Sequence, residues 1–253
     1  MIRALVVDLD GTLIDRNEQV SPRVSQAVAR VARRIPVSIA TGREPSDVIK
    51  FARQLSLVSP QICDGGATIL DPSNGEHLWY NPLDPADAEQ IVRQLDRMDA
   101  NFIATHPGGS AKSISGVSHW NLTRVSALDL EEQAADTLVL QFRGAGETQA
   151  VKVYLPYNSL WAVDFTRKGV DKATAAVRLA GMLGVETEQM AAAGDSYNDT
   201  PLLRICGVAI AMGDAPEELK AIADYVAPPA EEDGLAVAIE EFLLPRLNPS
   251  PLD

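Results

Sequence analysis

Short apolar runs alternate with amphipathic helical patterns at both ends of this 253-residue chain, and the alternation stops in the middle. Residues 4–7 read as a strand, followed by the turn Asp10-Gly11-Thr12 and by Ser21-Pro22, a capping side chain ahead of a proline at the first helical position. Val24, Ala27, Val28 and Val31 then recur at helical spacing, which predicts one apolar helix face ending near Arg34. The cycle repeats with a strand over 37–40, the turn Thr41-Gly42-Arg43, and a helix from about Pro45 with Val48, Phe51, Ala52 and Leu55 on one face. A third strand is expected around 61–63. Toward the other end the pattern returns: helix 173–183 stopped by Gly184, strand 190–193 leading to Gly194-Asp195, helix 201–205, strand 208–211, helix 216–223, Tyr225-Val226, and a last helix carrying Leu235, Ala238, Ile239 and Phe242. Parallel strands need crossover connections, so this alternation predicts an α/β fold with a parallel sheet covered on both faces.

Asn81-Pro82-Leu83-Asp84-Pro85 makes a short stiff joint, after which the texture changes. One helix, with Ala88, Ile91, Val92 and Leu95 on a face, is expected there, with strands over 102–105, 137–142, 151–155 and 161–165. Residues 83–166 therefore read as an inserted α+β domain. Residues 1–82 and 167–253 form an α/β domain completed from both chain ends, with a second joint at Arg167-Lys168-Gly169. At roughly 150 residues per domain the chain has room for both. Its 46% apolar content supports a core without staples.

The balance of 22 basic against 35 acidic residues, a net charge of −13, speaks against nucleic acid or anionic membranes as partners, so any phosphate must be held locally. Cys63 and Cys206 lie in apolar stretches and read as buried reduced thiols, which suits the cytosol. The first apolar run turns acidic too soon for a signal peptide, and no later run spans a bilayer, so a cytoplasmic protein is expected.

The strongest local signal is Asp8-Leu9-Asp10-Gly11-Thr12 at the end of the first strand. Period two in an extended segment puts both carboxylates on one side, at the sheet edge where ligands bind. Two acids so close repel, so without a cation one of them keeps its proton near neutral pH. One carboxylate can then act as nucleophile and the other as proton donor, while Gly11 lets backbone N–H groups approach an anion.

This string and three later ones resemble the haloacid dehalogenase (HAD)-like phosphohydrolase superfamily, and the resemblance covers the whole α/β portion. Asp8 to Leu13 looks like motif one; Ser38-Ile39-Ala40-Thr41-Gly42-Arg43 like motif two; Gly169-Val170-Asp171-Lys172 like motif three; Gly194-Asp195-Ser196-Tyr197-Asn198-Asp199 like motif four. With Gly207 to Gly213 and Glu232-Asp233-Gly234 following, the match is to the Cof-type branch, which resembles sucrose-phosphate phosphatases. An insertion between motifs two and three matches that branch's cap. The resemblance implies a Rossmann-like core with an inserted α+β cap, and a Mg²⁺-dependent phosphatase working through an aspartyl-phosphate.

By the same resemblance Asp8 attacks phosphorus, and Asp10 protonates the leaving oxygen and later deprotonates the water. Thr41 hydrogen-bonds a phosphoryl oxygen, Gly11 and Gly42 supply backbone contact, and Arg43 and Asn198 meet substrate. Lys172, with Lys168 as the competing candidate, balances charge; Asp8, the Asp10 carbonyl and Asp195 hold Mg²⁺, with Asp199 behind them or serving only as a helix N-cap. A phosphate dianion among carboxylates needs such cationic compensation, and Mg²⁺ prefers oxygen ligands.

Asp64-Gly65-Gly66-Ala67 stands where relatives often read Asn-Gly-Ala, an acid in place of an amide. His77, His106 and His119 lack metal-ligand spacing, and Trp79, Trp120 and Trp161 read as packing. The expected partner is a small soluble phosphomonoester, a sugar phosphate or a phosphoglycolate-like acid, under a lid that excludes water. Arg93, Arg97, Lys112, Arg124, Arg143 and Lys152 are the insertion's basic groups. Two other readings share the acidic cluster: a phosphomutase, which would need a bisphosphate activator, and a receiver-like signalling module, which would need no cap.

Overall fold

A computed structural model of the chain describes residues 1–142, 146–155 and 158–247. Arg143, counted above among the insertion's basic groups, lies outside the described residues. The chain divides into two compact units, one of Met1–Arg43, Asp47–Leu78 and Asp171–Asp253, the other of Glu44–Ser46 and Trp79–Val170.

The first unit runs β1 (Ala4–Val7), α1 (Pro22–Ala32), β2 (Val37–Ile39), α2 (Pro45–Gln54), β3 (Gln61–Cys63), β4 (Thr68–Leu70) and into β5 (His77–Tyr80). The second unit carries α3 (Pro85–Arg97), β6 (Phe102–His106), β7 (Gly109–Ala111), β8 (Arg124–Leu130), α4 (Glu132–Phe142), β9 (Thr148–Leu155) and β10 (Leu160–Arg167). The chain then returns to the first with α5 (Lys172–Leu183), β11 (Met190–Gly194), α6 (Thr200–Ile205), β12 (Val208–Ala211), α7 (Glu217–Lys220), β13 (Tyr225–Val226) and α8 (Gly234–Val237), which continues into a wider helical turn over Ala238–Leu243.

The first unit is built on a parallel five-stranded sheet in the order β13-β12-β11-β1-β2. Both faces of β1 are buried, as the continuous apolar run Ala4-Leu5-Val6-Val7 requires. The Ser21 hydroxyl accepts from the Val24 N–H at 3.1 Å and starts α1, whose Val24, Ala27, Val28 and Val31 join the core. Beyond β2 the chain keeps the parallel sense through a single bridge, Ala40 to Ile62, and β3 then pairs antiparallel with β4. From β1 the chain steps to β2 on one side, whereas β11 lies on the other, so the strand order reverses between β1 and β11. Ligands of open parallel sheets bind at such a point, outside the carboxyl ends of the strands.

In the second unit an antiparallel sheet, β7-β6-β8-β10-β9, buries Phe102, Ala104, Val125, Ala127, Val163 and Phe165 against α3 and α4. Its alternate residues are polar: Ser126 donates to Asp164 at 2.5 Å, and Arg124 lies 3.6 Å from the same carboxylate. Two expectations fail here. Residues 137–142, read as a strand, form the end of α4; their run of Leu138-Val139-Leu140 resembles a strand, but Ala135, Leu138 and Phe142 are the buried positions, at helical spacing. The insertion therefore has two described helices rather than the one expected, and β8, a strand the sequence did not point to, pairs with β6 and β10. Of the thiols, Cys63 is buried while Cys206 is only partly so, and neither forms a disulfide. No helix among the described residues is long and apolar enough to cross a membrane.

Candidate active site

Three strand ends of the first unit meet. Asp8 follows β1, Thr41 follows β2, and Asp195 follows β11; the Asp8 N–H donates to the Ala193 carbonyl (2.9 Å), and the Ala40 N–H to the Val7 carbonyl (2.9 Å). Into this convergence α5 delivers Lys172 as its first residue. The Asp171 carboxylate accepts from the Thr174 N–H (2.7 Å) and the Thr174 hydroxyl from the Asp171 N–H (3.0 Å), a reciprocal cap that fixes where the helix begins.

The Lys172 ammonium is buried and donates to Asp8 Oδ1 at 2.5 Å and Asp199 Oδ1 at 2.6 Å, with Asn198 Oδ1 at 3.4 Å. Lys168, the competing candidate, instead donates to the Gly146 carbonyl at 2.5 Å. The Asp199 Oδ2 accepts the N–H groups of Asp195 (3.2 Å) and Ser196 (3.1 Å), so this fully buried acid ties the Asp195 turn to Lys172. It makes no side-chain cap on α6, the other role its sequence position allowed. Asn198 is exposed and accepts from the Ser196 hydroxyl at 2.7 Å.

Carboxylate oxygens of Asp8, Asp195 and Asp199 lie within 4.8 Å of one another. The Asp195 carboxylate occupies the space a side chain on Gly11 would fill: a Cβ there would stand 2.2 Å from Asp195 Oδ2. Gly11 also has φ +73°, so both its backbone and its neighbour exclude other residues. The donors are hard oxygens, and three carboxylates around one ammonium leave net negative charge in a buried place, so the residues fit Mg²⁺.

Burial pushes the Asp8 carboxyl well above the usual carboxylate range, and Asp199 and Asp195 push the same way against Lys172. The acid that crowds Asp8 is thus Asp199 rather than Asp10, the neighbour two residues on. Burial and Asp199 raise Asp195 to about 7. Burial opposes the Lys172 cation, but Asp199 and Asp8 more than offset it and hold the proton more firmly than in water.

Asp10 stands apart from this cluster. Leu9 is fully buried between the two acids, and the Asp10 carboxylate is exposed and gripped by Arg43, whose Nη2 lies 2.6 Å and Nε 3.1 Å from Asp10 Oδ1. Arg43 Nη2 also donates to Glu18 at 2.7 Å, a partner the sequence did not point to. Burial alone would weaken the guanidinium; Asp10 and Glu18 reverse that and raise its pKa. Thr41 is buried, its hydroxyl accepts the Arg43 N–H at 3.1 Å, and Gly42 lies half-buried in the same turn. That leaves the Thr41 hydroxyl proton to donate elsewhere.

A carboxylate beside an ammonium, a neutral donor and two further acids make an arrangement able to attack an electrophile and hold an anion with a cation. The sequence matches the family model of haloacid dehalogenase-like hydrolases over residues 5–136 and 151–239. The chain belongs to that family. The hydrolase is 28% identical over 249 residues to a 5-amino-6-(5-phospho-D-ribitylamino)uracil phosphatase of Bacillus subtilis, covering 96% of each protein. It is 27% identical over 244 residues to a phosphoglycolate phosphatase of Archaeoglobus fulgidus, covering 94% of this chain and 96% of that one. Among solved structures, a haloacid dehalogenase-like hydrolase from Bacteroides thetaiotaomicron shares its fold with a TM-score of 0.81 at 20% identity over 95% of this chain and 99% of that one. A HAD subclass IIB sugar phosphatase gives 0.79 at 20% identity, over 96% and 99%. Both likenesses are of fold.

Proposed function

We propose that the hydrolase cleaves small soluble phosphomonoesters, sugar phosphates or phosphoglycolate-like acids, through an aspartyl-phosphate on Asp8. It is a phosphoric monoester hydrolase of the HAD-like type, as its full-length relatives are. The observation that carries the mechanism is the buried Lys172 ammonium bridging Asp8 and Asp199 beside Asp195.

Lys172 fixes the Asp8 carboxylate in place and leaves its second oxygen to attack phosphorus. The bond from phosphorus to the leaving oxygen breaks as the bond to Asp8 forms, and Thr41 donates its hydroxyl proton to a phosphoryl oxygen. Lys172 offsets the charge gathered on Asp8 and the phosphoryl group. Asp10 protonates the leaving oxygen and then takes a proton from the water that attacks the aspartyl-phosphate. Arg43 pairs with the Asp10 carboxylate in the structure, so Asp10 leaves that pair and takes a proton from solvent before it acts as the acid. Asp8, Asp195 and the Asp10 carbonyl, with Asp199 behind them, would hold Mg²⁺, which would supply positive charge to offset that of the phosphoryl group.

On this reading residues 1–82 and 167–253 are the catalytic domain and 83–166 the cap. The relatives' names share a phosphate and differ in the group that carries it. Asp8→Asn and Asp10→Asn are each expected to abolish p-nitrophenyl phosphate hydrolysis, and so is chelation of Mg²⁺; undiminished turnover in both variants would overturn the mechanism. Comparing kcat/KM across sugar phosphates and short phospho-acids then separates the two substrate classes.

A further inference from the structure

The turn Asp64–Gly66 after β3 touches both arms of the site. The Asp64 N–H donates to the Arg43 carbonyl at 2.9 Å, and the Gly65 N–H to the Thr41 carbonyl at 3.0 Å. Gly66 packs against the start of α5 so closely that a Cβ would stand 2.1 Å from the Asp171 carbonyl oxygen and 3.0 Å from the Lys172 nitrogen. One turn therefore braces the loop carrying Thr41 and Arg43 and, on its other side, the backbone that presents Lys172.

Its three residues all have positive φ: 53° at Asp64, 66° at Gly65 and 103° at Gly66. Glycine adopts such angles freely, whereas Asp64 must be held there; aspartate and asparagine tolerate the conformation better than other residues with a Cβ. The Asp64 side chain is fully buried, and its Oδ2 accepts from the Thr68 hydroxyl at 3.1 Å. The acid found where relatives carry an amide is thus anchored within the fold and serves as an acceptor, a role an amide oxygen also fills.

We propose that Asp64, anchored by Thr68, is a positioning residue: it holds the turn whose backbone sets Thr41, Arg43 and Lys172 for phosphate. The proposal rests on the phosphatase reading above. Its test uses p-nitrophenyl phosphate as substrate and inorganic phosphate as competitive inhibitor in wild type and in Asp64→Ala, Asp64→Asn, Thr68→Val and Asp8→Asn proteins. Displacing groups that grip the phosphoryl unit by a fraction of an ångström lowers kcat toward about 10²-fold, so Asp64→Ala is expected to lose at least about ten-fold in kcat and to raise the phosphate Ki several-fold. Asp64→Asn restores most of both, and Thr68→Val shifts both in the same direction by less.

A purely structural role would lower the melting temperature and leave kcat and Ki per folded molecule unchanged. That result in Asp64→Ala overturns the proposal, as does an Asp64→Asn protein as impaired as Asp64→Ala. If Asp64→Ala does not fold, an unchanged phosphate Ki in Thr68→Val overturns it. A wild type that hydrolyses no more than Asp8→Asn instead defeats the phosphatase reading itself, so the two failures are told apart.

Discussion

Without the Lys172 ammonium, Asp8 and Asp199 would face one another in a buried pocket with no cation between them. Lys172→Met is therefore expected to cost about 3 kcal/mol of stability at pH 8, since breaking a buried pair strands its partner charge, and to reduce turnover to near background. Urea unfolding at pH 8 and pH 5.5 checks this: the loss shrinks at the lower pH, where Asp8, its carboxyl already raised by burial, takes up a proton. A variant as stable as wild type at pH 8 would mean that the acids are not held ionised by this lysine. Asp8, Lys172 and Asp195 were legible in the sequence because each follows a strand end or helix start that its own motif marks. The Arg43–Glu18 contact was not, since it joins side chains 25 residues apart across two turns with no periodicity. The expected crowding of Asp8 by Asp10 rested on an extended backbone through residue 10. The strand ends at Val7 instead, and the Leu9 carbonyl accepts the N–H groups of Leu13 and Ile14 in a turn.

Among the elements, α5 has the most direct bearing on chemistry, because its first residue is Lys172 and its cap decides where that residue points. Asp171→Ala removes the side-chain acceptor for the Thr174 N–H and is expected to cost about 1 kcal/mol, the usual worth of such a cap. A fraying first turn would also loosen the ammonium, so kcat should fall more than KM rises. Equilibrium unfolding and steady-state kinetics on the same preparation check both halves; a stability loss with kcat intact would detach the cap from the site. The helices of the first unit and the strands of its parallel sheet were readable because short buried runs, capping residues and Gly184 at the helix end agree with one another, whereas β4 and β5 were not read. In α4 local propensity and burial disagree. Leu138-Val139-Leu140 has the composition of a strand, yet Leu140 is 62% exposed, so only the helical spacing of its neighbours identifies the element. Strand β8 was missed because its regular alternation, Arg124 and Ser126 against Val125 and Ala127, is short and breaks at Asp129, whose φ of +56° lies where the register against β10 shifts.

For the molecule as a whole, the acids gathered at the strand ends make folding itself depend on pH and on the cation. In the metal-free protein the Asp195 carboxyl titrates at about 7, and Asp8 lies well above its ordinary range, both from burial and from Asp199. In the unfolded chain both return to the ordinary aspartate value of 3.8. Below that value the groups are protonated in both states and cost nothing. As pH rises toward 7 the unfolded chain gives up protons that the native state retains, so the native state loses stability, by at most about 1.4 kcal/mol per pH unit for each group. The lowered carboxyls of Asp15, Glu18, Glu44 and Asp71 act in the opposite sense only below the ordinary carboxylate range, and the lowered imidazole of His106 opposes the trend just below 6.5 as one group against two. Lys172 holds its proton throughout this window and adds no slope. The metal-free protein is therefore expected to melt at a higher temperature at pH 5.5 than at pH 8. Millimolar Mg²⁺ should raise the pH 8 value toward it, because a divalent cation among ionised acids relieves their repulsion and stabilises the state that binds it. Asp8→Asn removes one of those acids while Asp199 remains to pair with Lys172, so at pH 8 without metal its melting temperature should equal or exceed that of wild type. Thermal scans of both proteins in chelator, at the two pH values and with added Mg²⁺, decide the matter. A metal-free wild type more stable at pH 8 than at pH 5.5 would mean that the buried carboxyls do not carry the raised values on which this coupling depends.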